Sequence, residues 1–260
     1  MATYYVRNDG NDANTGLGYT TTLAWKTLTK ALGSTGISSG DTLYIAPGRY
    51  YEFVTIGFNS PTVETKILGD PLCTQFLDIT PGLIRWTANI NNTSGPTASI
   101  LLTLPSKNFL TIKNIRFESQ SQSCINISTS INITIDKCTF LGGSGSQYLV
   151  TYSNPSNTAA NLLITNNILI RNSVNSVHVS NLYIVLNGTI DYDANVIVAN
   201  NIILGGGTSQ YDNRNAVVVV VGHTQGYCYF VNNTLGLAAF GGITTGTSSS
   251  SFPIRSYDNN

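Results

Sequence analysis

The chain has 260 residues, 13 basic against 13 acidic side chains and a charged fraction of only 10%, well under the roughly 25% of ordinary soluble domains. With no cluster of Lys and Arg in the sequence, nucleic acid and anionic membranes are not expected partners, and no apolar run reaches the roughly 18 residues of a membrane span. The start, MATYYVRNDG, has no basic stretch leading into an apolar one, so export by a cleaved signal is not expected.

Taken in order, Tyr4, Tyr5 and Val6 can open a strand, and NDGNDANTGLG (8–18) is a loop of residues that tolerate positive φ. Trp25, Leu28 and Leu32 fall at helical spacing in AWKTLTKAL (24–32), which predicts one short amphipathic helix ended by Gly33. GDTLYIAPGRYYE (40–52) gives a strand from Thr42 to Ile45, a Pro-Gly corner and a second strand resuming near Tyr50. TKILGDP (65–71) repeats the strand-then-corner pattern, and LDITPGLIRWTA (77–88) sets Ile84 and Trp86 on one face of a strand. NINNTSGPTA (89–98) reads as a loop, and the apolar runs ILLTL (100–104) and VVVVV (217–221) read as buried strands. Cys73, Cys124, Cys138 and Cys228 are too far apart for a CxxC pair or a disulfide framework and read as buried thiols.

From residue 112 a phrase recurs: IKNIRF (112–117), IDKCTF (135–140), ITNNIL (164–169), VANNII (198–203) and FVNNTL (230–235). It aligns Asn114, Lys137, Asn166, Asn200 and Asn232 in one column and Phe117, Phe140, Leu169, Ile203 and Leu235 in another, in steps of 23, 29, 34 and 32 residues. Self-similarity at this period predicts a solenoid whose units bury their apolar side by stacking on one another. The Asn column falls where each unit must turn sharply; Asn tolerates the left-handed conformation there and can stack its amide on its neighbours.

A YYV strand, an Asn/Asp/Gly loop, W-K-T-L…A-L and GDTLYIAPGRYYE, in that order, resemble the N-terminal module of single-stranded right-handed parallel β-helix proteins of the pectin-lyase-like superfamily. The match is close over about 1–56 and continues through the repeated phrase. GDP at 69–71 followed by TPG-x-x-R-x-T (80–87) resembles β-helix proteins encoded by tailed phages. The resemblance implies an all-β, right-handed parallel β-helix in one domain over 1–260. Residues 1–40 would form a strand, a loop and a short N-terminal capping helix, and 41–260 the coils. It also implies a structural virion protein on the surface of a phage particle, as capsid decoration or tailspike. The partners would then be other virion proteins and a cell-surface polysaccharide, with a homotrimer as the tailspike-like assembly. Outside a particle, the protein would be extracellular. Because the superfamily also holds lyases and glycosidases, the alternative is a polysaccharide lyase or glycoside hydrolase working on an outer face.

Chemistry on such a fold comes from adjacent coils. Neighbouring strands lie about 4.8 Å apart and alternate residues about 6.6–7 Å apart, close to the roughly 5–5.5 Å between the carboxylates of retaining glycosidases and to the lower end of the roughly 6.5–9.5 Å of inverting ones. Counting back from the Asn column, Asp191 and Asp193 precede Asn200 by nine and seven residues, and His223 and Gln225 precede Asn232 by the same offsets. Stacked, they form a polar square in which Asp191, Asp193 and His223 are catalytic candidates and Gln225 and the nearby Tyr227 binding candidates. The preceding coil offers Asn157 and Ala159 at those offsets and extends no acidic cleft. Asp136 shares its column with Lys113, Thr165 and Ala199, which makes no calcium ladder, and no metal or cofactor is expected. Asp212 with Arg214 reads as a local ion pair, and His178 as an outward strand residue. The last phrase, RSYDNN (255–260), has the polar pair and stops, which leaves the final coil to a partner or to a longer chain.

Overall fold

The computed structural model describes residues 1–87, 100–119, 123–142, 148–154, 160–171, 181–186, 193–204, 217–221, 225–236, 243–247 and 254–258. Within them, 23 strands form three sheets. The first sheet holds nine: Thr3–Val6, Thr42–Ile45, Thr65–Gly69, Leu110–Lys113, Ile133–Asp136, Ala160–Thr165, Asp193–Ala199, Gln225–Val231 and Ile254–Tyr257. The second holds seven: Gly48–Tyr51, Ile84–Thr87, Arg116–Ser119, Thr139–Gly142, Ile168–Arg171, Ile202–Leu204 and Thr234–Gly236. Val54–Thr55, Leu102–Pro105, Ile125–Ser128, Val150–Asn154, Leu182–Leu186, Val217–Val221 and Ile243–Thr247 make up the third.

Every pairing is parallel. From Thr42 onward the chain visits the first, second and third sheets in strict rotation, so each strand lies beside its equivalent one coil earlier. This nearly all-β arrangement of stacked parallel strands is consistent with a parallel β-helix or solenoid. The reason lies in the alternation: LTIK, RFES and INIS each bury every second residue. The buried sets of all three sheets meet in one apolar cluster, with Ile112 and Ile135 from the first, Phe117 and Phe140 from the second and Ile125 and Ile127 from the third. Each such side chain contributes about 1.5–3 kcal/mol on burial. Among the described residues no helix is long and apolar enough to cross a membrane.

The repeated phrase aligns as the sequence predicts. Phe117 pairs with Phe140, Phe140 with Leu169, Leu169 with Ile203 and Ile203 with Leu235. The corner residues Asn114, Lys137, Asn166, Asn200 and Asn232 all take the left-handed conformation, at φ of 59, 53, 56, 56 and 53°. Where the corner passes closest to the coil below, a side chain has no room: a Cβ on Gly69 would lie 2.2 Å from the Asn114 carbonyl oxygen.

The amide ladder is displaced from its predicted column by one residue. It is the second Asn of each pair, Asn167, Asn201 and Asn233, that is buried and continuous: Asn201 Nδ2 donates to Asn233 Oδ1 and Asn167 Nδ2 to Asn201 Oδ1, each at 3.0 Å. The ladder ends on the Cys138 amide, which donates to Asn167 Oδ1 at 2.8 Å. In the predicted column the amides meet at Asn232 and Asn200 but turn to Asp136 at Asn166.

The helix is shorter than its pattern, Leu28–Leu32 in place of 24–32. Trp25 lies instead against the first strand of the first sheet: it makes an isolated bridge to Val6, its amide donates to the Tyr5 carbonyl at 3.0 Å, and its ring stacks on Tyr4 at 4.9 Å. Thr27 is the N-cap, accepting from the Lys30 amide, and the Glu52 carboxylate accepts from the amides of Leu28 and Thr29. The helix then packs beside Val54–Thr55, the end strand of the third sheet, and the Gly57 amide donates to the Leu32 carbonyl. All four cysteines are free and buried, as the sequence predicts, and burial pushes the thiols of Cys124, Cys138 and Cys228 up, to about 12 for Cys138.

Candidate functional site

The outward side of the first sheet carries polar and aromatic groups from successive coils. Of the predicted square, Asp193 and Gln225 are register partners on neighbouring strands, as the offsets require. Asp191 and His223 lie outside the described residues, as do His178, Asp212, Arg214 and the predicted loop at 89–98. Two residues on, Asn195 is the register partner of Tyr227.

Around that pair runs a second, exposed amide ladder, which the sequence reading passed over. Asn161 Nδ2 donates to Asn132 Oδ1 at 2.7 Å and Asn195 Nδ2 to Asn161 Oδ1 at 3.2 Å. An exposed aromatic ring stands at each end. Tyr227, 42% exposed, follows Asn195; Phe109, 37% exposed, precedes Leu110 as Asn132 precedes Ile133, and those two are partners. Five residues from first to last span about 19 Å at 4.8 Å per coil. The Tyr229 ring lies 5.6 Å from that of Tyr227, with exposed Ile197 opposite Tyr229 in the register. The signal was available: each member sits five residues before the corner column, Phe109 before Asn114, Asn132 before Lys137, and so on to Tyr227 before Asn232. Other aromatic residues near the two ends of the stack divide as alternation demands. Tyr50, Phe58 and Phe230 are buried, Phe53 is half-buried and Tyr51 is exposed.

Towards the chain's start the same face holds a groove of about 450 Å³, walled by Tyr44 and Leu68 and rimmed by Asp70, Thr74, Lys113 and Lys137. The Asp70 carboxylate is used within its own turn, accepting from the amides of Thr74 and Gln75. Lys113 pairs with Asp136 at 2.9 Å, so the Asp136 column places a cation beside the carboxylate, as predicted. Among the described residues no group of three or more His, Cys, Asp or Glu is placed to hold a metal.

The sequence has no run of basic residues, yet register gathers Arg49, Arg85 and Arg116 into one column on the second sheet. Glu118 sits against two of them: Arg85 donates to it from Nε at 2.9 Å and Nη2 at 2.7 Å, and Arg116 Nε lies 2.5 Å away in an ion pair without hydrogen-bond geometry. Residues 36 and 31 apart in the chain become neighbours about 4.8 Å apart, which no local pattern displays.

These two carboxylates bear on acid stability. Burial opposes ionisation of Glu118, but Arg85 and Arg116 outweigh it; burial likewise opposes Asp136, where Asn166, Lys113 and Thr165 prevail. Both carboxyls therefore sit below their ordinary values. A depressed folded pKa gives stability that is complete above the unfolded value, about 4, and is lost as pH falls through the folded one. Thermal midpoints measured from pH 7 to pH 2.5 are expected to drop below pH 4, and the drop is expected to shrink in the Glu118→Gln, Asp136→Asn double variant. An unchanged acid slope in that variant would assign acid lability to other groups.

No protein-family model matches the chain, and no curated protein is similar to it in sequence. Among solved structures, the chain is similar to a GH136 lacto-N-biosidase from Eubacterium ramulus, with 9% identity and a TM-score of 0.43 over 100% of this chain and 68% of that one.

Proposed function

We propose that the protein is a glycan-binding structural element of a surface particle, its three sheets closing into a right-handed parallel β-helix and its short helix covering the first coil. Strict rotation among the sheets, their shared core and the strong right-handed preference of parallel crossovers support that geometry. The observation that carries the binding reading is the exposed column Phe109, Asn132, Asn161, Asn195, Tyr227. Sugars present apolar ring faces and hydroxyl edges. Aromatic side chains that are exposed on one face meet the former, and amides already fixed by their neighbours meet the latter at little further ordering cost. The resemblance of the TPG-x-x-R-x-T segment to β-helix proteins of tailed phages supports reading this element as part of a phage virion, in contact with other virion proteins, with a homotrimer as the tailspike-like assembly.

Binding is measured by glycan array and titration calorimetry. Tyr227→Ala and Asn161→Ala are each expected to weaken the bound oligosaccharide about tenfold, the effect of losing one central contact. Full affinity in both variants would dismiss this face as the site. A second reading, hydrolysis or lyase cleavage, is favoured by the register of Asp193 beside Gln225. New reducing ends or unsaturated uronates that disappear in Asp193→Asn would establish it in place of binding alone. Co-purification with intact particles tests the virion assignment.

A further inference from the structure

The arginine column on the second sheet lies on a different face from the proposed glycan ladder and has one carboxylate for three guanidiniums. Its arrangement is stepwise. Glu118 lies two residues beyond Arg116 on the same strand and reaches the guanidiniums of two successive coils, Arg116 and Arg85. One coil earlier the equivalent position, two residues beyond Arg85, is Thr87, and one coil earlier again it is Tyr51. The step between Arg85 and Arg49 therefore repeats the geometry of the step above it without an acidic side chain. Arg49 is exposed and has no carboxylate partner among the described residues; Arg85 points Nε and Nη2 at Glu118 and donates Nη1 to no described residue. Tyr51, 39% exposed, stands beside this step, two residues beyond Arg49 and the register partner of Thr87.

The geometry points to a binding site for an acidic oligosaccharide, with its carboxylate or sulfate group between Arg49 and Arg85 and the attached sugar ring against Tyr51. Guanidinium forks match planar carboxylates and sulfates through paired N–H donors, and Glu118 already shows that this column holds a carboxylate between two coils. The aromatic neighbour selects a sugar-borne anion over a free ion, because a ring face adds nothing to inorganic sulfate. A net surplus of two positive charges in this column is small for a duplex, whose affinity rests on many phosphate contacts.

The test is titration of the intact chain, at about 50 mM salt, with an oligoglucuronate, a sulfated oligosaccharide of the heparin type, a neutral oligoglucose, a poly-glutamate peptide and inorganic sulfate. The acidic saccharides are expected to bind, and the comparison between them separates carboxylate from sulfate. Arg49→Gln, an exposed substitution, is expected to weaken that binding about tenfold, and Tyr51→Ala to weaken it by a similar factor. Glu118→Gln, which releases two guanidiniums, is expected to hold or tighten it. No binding of either acidic saccharide, unchanged affinity in Arg49→Gln, or equal affinity for poly-glutamate would overturn the assignment. Because these residues lie off the first sheet, Tyr227→Ala is expected to leave this binding unchanged, so failure here is separable from failure of the ladder.

Discussion

Asn201→Ala is expected to destabilise the protein by about 4 kcal/mol, far more than an ordinary polar truncation. The Asn201 side chain is 1% exposed and fully engaged. Its oxygen accepts from the Asn167 amide at 2.9 Å and from Asn167 Nδ2 at 3.0 Å; its nitrogen donates to the Ile164 carbonyl at 2.9 Å and to Asn233 Oδ1 at 3.0 Å. Truncation removes the acceptor of the Asn167 amide and a donor to Ile164, and each buried group left unsatisfied costs about 1–3 kcal/mol. The two other losses are milder, because Asn167 Nδ2 keeps the Ile135 carbonyl and Asn233 Oδ1 keeps the Asn201 amide. Asn195→Ala is the matched control. It breaks the same kind of amide-to-amide bond, to Asn161, but in water, and is expected to change stability by no more than about 0.5 kcal/mol. Urea midpoints at constant slope measure both. A cost below about 1 kcal/mol for Asn201→Ala would mean that the buried ladder does not hold the coils in register.

The contrast between the two ladders also shows how far the sequence could be read. The repeated phrase gave the alignment of coils, the corner residues and the Phe117 column, because period-2 alternation and the need for positive φ both leave local marks in the text. It could not say which Asn of a pair turns inward. That follows from the corner: a left-handed first residue swings the next one, Asn167, Asn201 or Asn233, back under the coil. The helix was over-extended for a related reason. Trp25 has helical spacing to Leu28, but its pairing with Val6 and its stack on Tyr4 are long-range contacts that outweigh a pattern of three residues. At the candidate site, the offsets placed Asp193 against Gln225 correctly. The same counting, applied five residues before each corner, reaches Phe109, the three asparagines of the outer ladder and Tyr227; of these only Tyr227 stands out in the sequence, because single asparagines in an Asn-rich chain carry no local mark of which face they occupy. The arginine column was illegible because Arg49 and Arg85 lie before the repeated phrase begins, where no ruler applies.

Phe117→Ala tests the core that makes this counting possible. Phe117 is fully buried between two rings, Trp86 at 5.3 Å and Phe140 at 5.2 Å between centroids, the latter nearly parallel at 4°. The column continues below to Tyr50 and above to Leu169 and Ile203, so each coil is in contact with the next through one large side chain. Removing a buried Phe costs about 3–5 kcal/mol in transfer and cavity terms, and each lost ring pair adds about 0.5–1.5 kcal/mol. A total near 5 kcal/mol is expected, of the order of the whole stability of a typical domain, so the variant is expected to unfold at much lower urea or to be recovered only in inclusion bodies. Phe117→Leu keeps most of the volume and loses only the ring contacts, and is expected to cost about 1–2 kcal/mol. The pair separates two accounts of the stack. If Leu is nearly as damaging as Ala, the aromatic contacts themselves set the spacing between coils; if Leu is nearly neutral, volume suffices, as the change from Phe140 to Leu169 and Ile203 farther along the same column already suggests.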